Sequence, residues 1–367
     1  MPERNTMKKI QELQQVKGDA YDYYIAGNED TDLFEKIFLV DDIVEEICKP
    51  DKYFLIGEKG SGKTAYSVYM SKSDKINSFC SISLVENTLY QRFLNMKRQK
   101  ALELSSFKDV WINLIYLILA EKIRKEYGET FFSSIKYKQL SKAIDVFYSD
   151  AFKPEFVNAF EFVDNASASI NSMMKQGLFS TGTKASAETS QKYVEQSFQI
   201  SLLKIRDGFE KAFMSVNLKK PTILFVDGID ARPRDIDNEQ YFECLFGLVN
   251  AVLEMNQSFL KEKQIKIMLL IRPDIMYKMP VHNMNQKLRN NSVLLNWVTS
   301  YRKYIDSKLF KIADDYFMKQ QDYSYELGEC WNYYFPYKVE YQEKWKAPDN
   351  PFVEFLRYSL YITPVFS

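Results

Sequence analysis

The chain has 367 residues, 46% of them hydrophobic, with 49 basic and 49 acidic side chains that cancel to a formal net charge of zero. That length accommodates one large domain or two ordinary ones, and that composition supplies a real core. The charge balance excludes a global pull toward nucleic acid or anionic lipid, so either partner would need a local patch.

Residues 1–30 read as a polar N-terminal segment without the apolar stretch of a secretory leader. Asp32 with Glu35 has the form of a capping box, and Leu33, Ile37, Val44 and Ile47 recur at helical spacing, so one helix is expected up to Lys49-Pro50. A short apolar strand, Lys52 to Ile56, runs into a glycine-rich loop, and TAYSVYMSK after it reads as helix. Ser78 to Leu84 alternates weakly, as a second strand would. A mostly helical region follows over about 101–163, within a helical stretch of 101–220. Its run WINLIYLILA, Trp111 to Ala120, is too short to span a bilayer and reads as a buried helix. Asn165 to Ser190 is small and polar, the composition of an exposed insertion. A helix is expected over 191–215.

Thr222 to Asp230 is an apolar strand ending in acids; a helix follows from Glu239 to Lys261, and a second apolar strand from Lys266 to Asp274. Ser292 to Trp297 has the pattern of a fifth strand, followed by a helix to about Met318. Residues 31–320 are therefore expected to form one α/β domain, with 321–367 as a small aromatic-rich C-terminal subdomain. The apolar end of the chain, Phe352 to Phe366, gives that subdomain the look of one cut short. Strands alternating with helices imply a three-layer parallel sheet that presents its ligand at the carboxyl ends of the strands.

Gly57-Glu58-Lys59-Gly60-Ser61-Gly62-Lys63-Thr64 matches GxxxxGK[ST] in full. Glycines let backbone N–H groups turn inward on phosphate, and the following helix offers its positive end. Lys63 is placed to reach the β- and γ-phosphates and the Thr64 hydroxyl to bind Mg²⁺, whereas Glu58 and Lys59 read as solvated loop residues. A second carboxylate is needed for the metal's water shell, and Asp227 at the tip of ILFVD supplies it. Asp230 is the candidate for orienting or deprotonating the attacking water. Alternatively, an acid after a buried strand only caps the next element.

Many ATPases insert a strand between the cradle strand and the acidic strand, its tip facing the γ-phosphate. If 266–271 takes that place, Arg272 stands there, and Pro273 favours an extended conformation before it. Arg272 then senses or stabilises phosphate charge; the alternative is a structural salt bridge to Asp274 or Asp230. No Asn-Lys-x-Asp base-reading motif is present, which favours ATP over GTP.

Taken together, GEKGSGKTA (Gly57 to Ala65), LFVDGIDARP, LLIRPDI, NSVLLNW and SKLFKIAD resemble a bacterial family of P-loop ATPases of unassigned function, related to STAND and KAP-type (AAA-like) signalling NTPases. The resemblance covers about residues 30–360. It implies a P-loop NTPase fold of the ASCE strand order, with a cofactor set of ATP and Mg²⁺. It also implies a nucleotide-binding segment of Gly57 to Ala65, metal contacts from Thr64 and Asp227, and a catalytic set of Asp227, Asp230 and Arg272. A cytoplasmic address and a homo-oligomer or protein partner follow from it, as does a setting in signalling or antiviral defence. The chain departs from the pattern at Ala313-Asp314-Asp315, where an arginine is common, and at its C-terminus; Arg302 or Arg357 are the substitutes in view.

The four cysteines, Cys48, Cys80, Cys244 and Cys330, have no metal-ligand or redox spacing, and His282, the one histidine, has no catalytic partner in sequence. The basic clusters Lys97/Arg98/Lys100 and Lys122/Arg124/Lys125, with the aromatic tail, set up a second reading, a DNA-linked ATPase. Solvated helix faces and core packing are the plainer explanations. A third reading is a scaffold that holds ATP without turning it over. No membrane partner is expected.

Overall fold

The structure, a computed structural model, describes residues 13–25, 28–85, 104–132, 137–150, 202–229, 238–278, 288, 290–296, 304–321 and 324–335. In chain order the helices are α1 (Ala20–Ile25), α2 (Asn28–Ile37), α3 (Asp42–Cys48), α4 (Lys63–Lys72), α5 (Leu104–Phe132), α6 (Lys138–Asp150), α7 (202–215), α8 (Asn238–Gln257), α9 (Pro273–Lys278), α10 (Lys308–Met318) and α11 (Glu329–Tyr334). The strands are β1 (Phe54–Gly57), β2 (Phe79–Leu84), β3 (Thr222–Asp227), β4 (Ile265–Ile271) and β5 (Ser292–Leu295). The chain divides into two compact units: one holds Met1–Glu45, Gly60–Ser73 and Leu295–Ser367, the other Glu46–Lys59 and Asp74–Leu294.

The strands form one five-stranded parallel sheet in the order β2-β3-β4-β1-β5. Its core strands are buried without alternation: every residue of β1, β3 and β4 is buried. Successive side chains of a strand point to opposite faces, so continuous burial means that both faces are covered, as parallel sheets require. The expected α/β parallel architecture is therefore present. The helix expected from Trp111 to Ala120 lies inside α5, with every one of those residues buried.

Much of the larger unit's packing is decided by a close helix crossing. A Cβ added at Gly247 on α8 would lie 2.7 Å from Cβ of Phe107 on α5, so only glycine permits this approach. The Trp111 indole donates to the Cys244 carbonyl across the same interface at 3.0 Å. Arg206 on α7 then ties three helices: it pairs with Glu210 and with Glu254 on α8, each at 2.7 Å, and reaches Asp109 on α5 at 3.7 Å. Asn256 at the end of α8 accepts from the Ile267 N–H and donates to the Ile267 carbonyl, which fixes α8 to β4.

The smaller unit departs from the sequence reading in one place. Asp32 and Glu35 do not cap a single helix running to Lys49; α2 starts at Asn28, and the chain is non-helical from Phe38 to Asp41. Phe38 turns its ring onto Tyr69 of α4, stacked at 4.3 Å between centroids. Asp41 then caps the next helix, its carboxylate accepting from the Ile43 N–H at 3.1 Å. The side chain of Glu35 accepts from the Ser73 hydroxyl.

At its other end, α10 and α11 enclose a small aromatic cluster of Phe310, Phe317, Trp331 and Phe335. Trp331 and Phe335 stack at 4.4 Å, so this part of the aromatic tail packs a core. The rest of the tail lies outside the described residues, as does the insertion expected at 165–190.

Candidate functional site

Three strands carry the sequence-predicted residues, and the sheet makes them neighbours. β4 lies between β3 and β1. Its register sets Val226 against Leu269 and Ile56 against Ile271. Asp227 and Gly57 end β3 and β1, and Arg272 follows the last residue of β4 between them at the carboxyl edge, although the three are far apart in sequence. The strand containing 266–271 thus lies between the glycine-loop strand and the acidic strand.

Asp227 is buried, and the chain turns sharply after it. Gly228 takes a left-handed φ of +82°, and its N–H donates to Asp227 Oδ1 at 2.7 Å. The Asp227 carbonyl accepts from the Val85 N–H at 2.8 Å, so the end of β2 holds the same turn. The strand expected to reach Asp230 therefore stops at Asp227, and Asp230 itself lies outside the described residues.

Arg272 stands between the end of β4 and the start of α9. The strand stops at Ile271, and Pro273 opens α9. Proline suits a first helical position because its missing N–H would have no intrahelical partner there. Arg272 precedes that position, and its carbonyl accepts from the Met276 N–H at 3.2 Å. Its guanidinium meets Asp274 in a two-pronged pair: Nε donates to Oδ1 and Nη2 to Oδ2, both at 3.0 Å. Of the two partners open in the sequence, the structure shows Asp274.

The glycine-rich loop leads out of β1. Gly60 and Gly62 both have left-handed backbone, φ +80° and +87°. Gly62 stands at the N-cap of α4, and its carbonyl accepts from the Tyr66 N–H at 3.0 Å. The first residues of α4 are Lys63, Thr64 and Ala65; Lys63 is buried and the other two half-buried. Ser61 is buried, while Glu58, Lys59 and Gly60 are exposed, in keeping with solvated roles for Glu58 and Lys59. These are the conformations a phosphate cradle needs: glycines at positive φ, then a helix amino terminus with a lysine and a hydroxyl in its first turn.

No protein-family model, curated protein or solved structure matches the chain.

The smaller unit contributes a network that sequence reasoning missed. The Tyr66 hydroxyl on α4 lies 2.9 Å from both carboxylate oxygens of Asp41, and Lys308 at the start of α10 pairs with Asp41 at 2.7 Å and Asp42 at 3.2 Å. Burial and the Asp41 charge raise the Tyr66 pKa, so the phenol stays a donor. Lys319 at the far end of α10 donates to the Phe38 carbonyl at 3.2 Å. Both ends of α10 are thus tied to Phe38–Asp42, the segment on which α4 packs. No local pattern joins these residues; Lys308 is distant from Asp41 in sequence.

At Ala313-Asp314-Asp315 the chain carries acids for a structural reason. Asp314 is fully buried and accepts from the Gly328 N–H at 2.7 Å and the Trp331 N–H at 3.0 Å, capping α11. Asp315 pairs with Lys319 at 2.7 Å. An arginine at either position would leave these donors without their acceptor.

Among the described residues, no group of three or more His, Cys, Asp or Glu side chains is placed to hold a metal ion by itself, and no helix is long and apolar enough to cross a membrane. Of the two basic clusters, Lys122, Arg124 and Lys125 lie on α5, with Arg124 4.0 Å from Glu121. Lys97, Arg98, Lys100, His282, Arg302 and Arg357 lie outside the described residues.

Proposed function

We propose that this chain binds Mg-ATP through Gly57 to Ala65 and hydrolyses it, working as a nucleotide-dependent switch. The observation that carries this is the strand order, which sets the Arg272 strand between the glycine-loop strand and the Asp227 strand. That order is compatible with the ASCE arrangement of P-loop NTPases, the class the sequence resembles.

In this reading, backbone N–H groups of Gly60 to Lys63 take the β-phosphate, and the Lys63 ammonium takes the charge between β and γ. Mg²⁺, when bound, neutralises charge building up on the phosphate oxygens. A protein supplies few ligands to Mg²⁺, the phosphates and water supplying the rest. The Thr64 hydroxyl and, through water, the Asp227 carboxylate fit that sparse donor set. Asp230 orients the attacking water, and Arg272 receives the γ-phosphate. The tie from α4 through Asp41 to Lys308 gives the nucleotide helix a mechanical link to α10 and α11, the element a switch would move in a cytoplasmic signalling assembly with a protein partner or a second copy of the chain.

The test is Mg-ATP binding and turnover by the purified chain, with Lys63→Ala beside it. Losing one charged donor to phosphate should weaken ATP at least tenfold, since hydrogen bonds to charged groups contribute about 1.5–3 kcal/mol each. Equal affinity in the two proteins would refute the site. Binding without turnover at any protein concentration would leave the ATP-holding scaffold.

A further inference from the structure

We propose that Asp274 is a latch on the γ-phosphate contact: it holds the Arg272 guanidinium in the absence of a γ-phosphate, surrenders it when one is present, and so tempers the preference for ATP over ADP that Arg272 confers. The latch presupposes the ATP site proposed above and names what limits its affinity for ATP.

The geometry points to an exchangeable pair. Both prongs of the guanidinium are engaged by one carboxylate, Nε on Oδ1 and Nη2 on Oδ2, each at 3.0 Å. A terminal phosphate offers the same fork of two oxygens, so it competes for the same face of Arg272. The pair is open to solvent: the Arg272 side chain is 27% exposed and that of Asp274 45%. Ion pairs at such exposure are weak and easily broken. A γ-phosphate carries more charge than a carboxylate and so wins the exchange, whereas ADP has no group to offer at that position.

The backbone sets the partners' spacing. Arg272 follows the end of β4 while Asp274 stands in the first turn of α9, and Pro273 between them fixes the turn. Asp274 therefore stays beside Arg272 as a resident competitor rather than a chance surface contact. Because β4 lies between β3 and β1, a guanidinium that leaves Asp274 remains at the carboxyl edge shared with Asp227 and Gly57.

The experiment is calorimetric titration of the full chain with a hydrolysis-resistant ATP analogue plus Mg²⁺, and separately with Mg-ADP. Wild type, Asp274→Asn, Arg272→Ala, the double variant and Lys63→Ala are compared. Asp274→Asn should tighten the ATP analogue by about threefold to fivefold, the factor by which an exposed ion pair competes, and leave ADP unchanged. Arg272→Ala should bring the ATP analogue down to the affinity of ADP, and adding Asp274→Asn to it should change nothing further. Should Asp274→Asn melt below the working temperature, Asp274→Ser takes its place. Equal effects on both nucleotides, no effect on either, or a gain that persists without Arg272 would overturn the latch while the ATP site stands. Wild type binding neither nucleotide better than Lys63→Ala does would overturn the site, and the latch with it.

Discussion

Gly228→Ala tests whether the turn behind Asp227 depends on glycine. The backbone there has φ +82°, a left-handed conformation that costs an L-residue about 1–2 kcal/mol. An alanine Cβ at that position would also lie 3.0 Å from the Val85 carbonyl oxygen and 3.4 Å from its nitrogen. Val85 cannot easily withdraw, because its N–H donates to the Asp227 carbonyl at 2.8 Å; relieving such a contact costs on the order of 1 kcal/mol. Against this, alanine restricts the unfolded chain more than glycine and recovers about 0.4–1 kcal/mol. The net expectation is a loss of about 2 kcal/mol, read from the urea midpoint at unchanged slope. Gly228→Asn separates the two causes. Asparagine enters the left-handed region far more readily than alanine but carries the same Cβ, so it should lose about half as much. Gly228→Ala should also weaken Mg-ATP binding, because the Gly228 N–H that holds Asp227 Oδ1 moves with the turn. If alanine lies within about 0.5 kcal/mol of wild type, or asparagine costs as much as alanine, backbone strain is not what the glycine avoids.

Lys266 gives a pH signature. Its ammonium is buried on β4, where it donates to the carbonyls of Ile47 and Lys49 at the end of α3, and burial lowers its pKa from 10.5 to about 8. Between those values the unfolded chain binds more protons than the folded one, so stability should rise with pH, by about 1 kcal/mol per unit. Below pH 8 both states are charged and the slope from this group vanishes. Burial raises the Cys80 thiol to about 12, which acts in the opposite sense above pH 9, so the measured quantity is wild type minus Lys266→Met from pH 7 to 9.5. A flat difference would show that Lys266 titrates normally. Asp314→Ala should cost about 3 kcal/mol by stranding two buried N–H groups and should speed hydrogen exchange at Gly328 and Trp331, with Asp314→Asn roughly halfway; unchanged exchange would mean that the carboxylate does not cap α11.

What could be read from the chain without its fold was whatever local chemistry enforces. The cradle motif, with a strand before it and a helix after it, lies in eight consecutive residues, and the buried strands at 222–227 and 265–271 announce themselves as apolar runs. The apolar helix around Trp111 was legible for the same reason. The break at Phe38–Asp41 was not, because helical spacing runs through it. What overrides that spacing is Phe38 stacking on Tyr69 and Asp41 meeting Tyr66 and Lys308. Arg272 was legible as a candidate and Asp274 as a partner two residues away, and the turn at Pro273 into α9 brings that pair together.

The sequence by itself determined which segments are strands and where glycines turn the chain from a strand into a helix, because hydrophobic burial, glycine backbone freedom and helix polarity act over a few residues. Only the tertiary structure decided that the Arg272 strand lies between the other two and that Lys308 answers Asp41. Strand pairing and ion pairing join residues far apart in the chain, and nothing in local spacing specifies which partner a buried strand or a charged side chain will find.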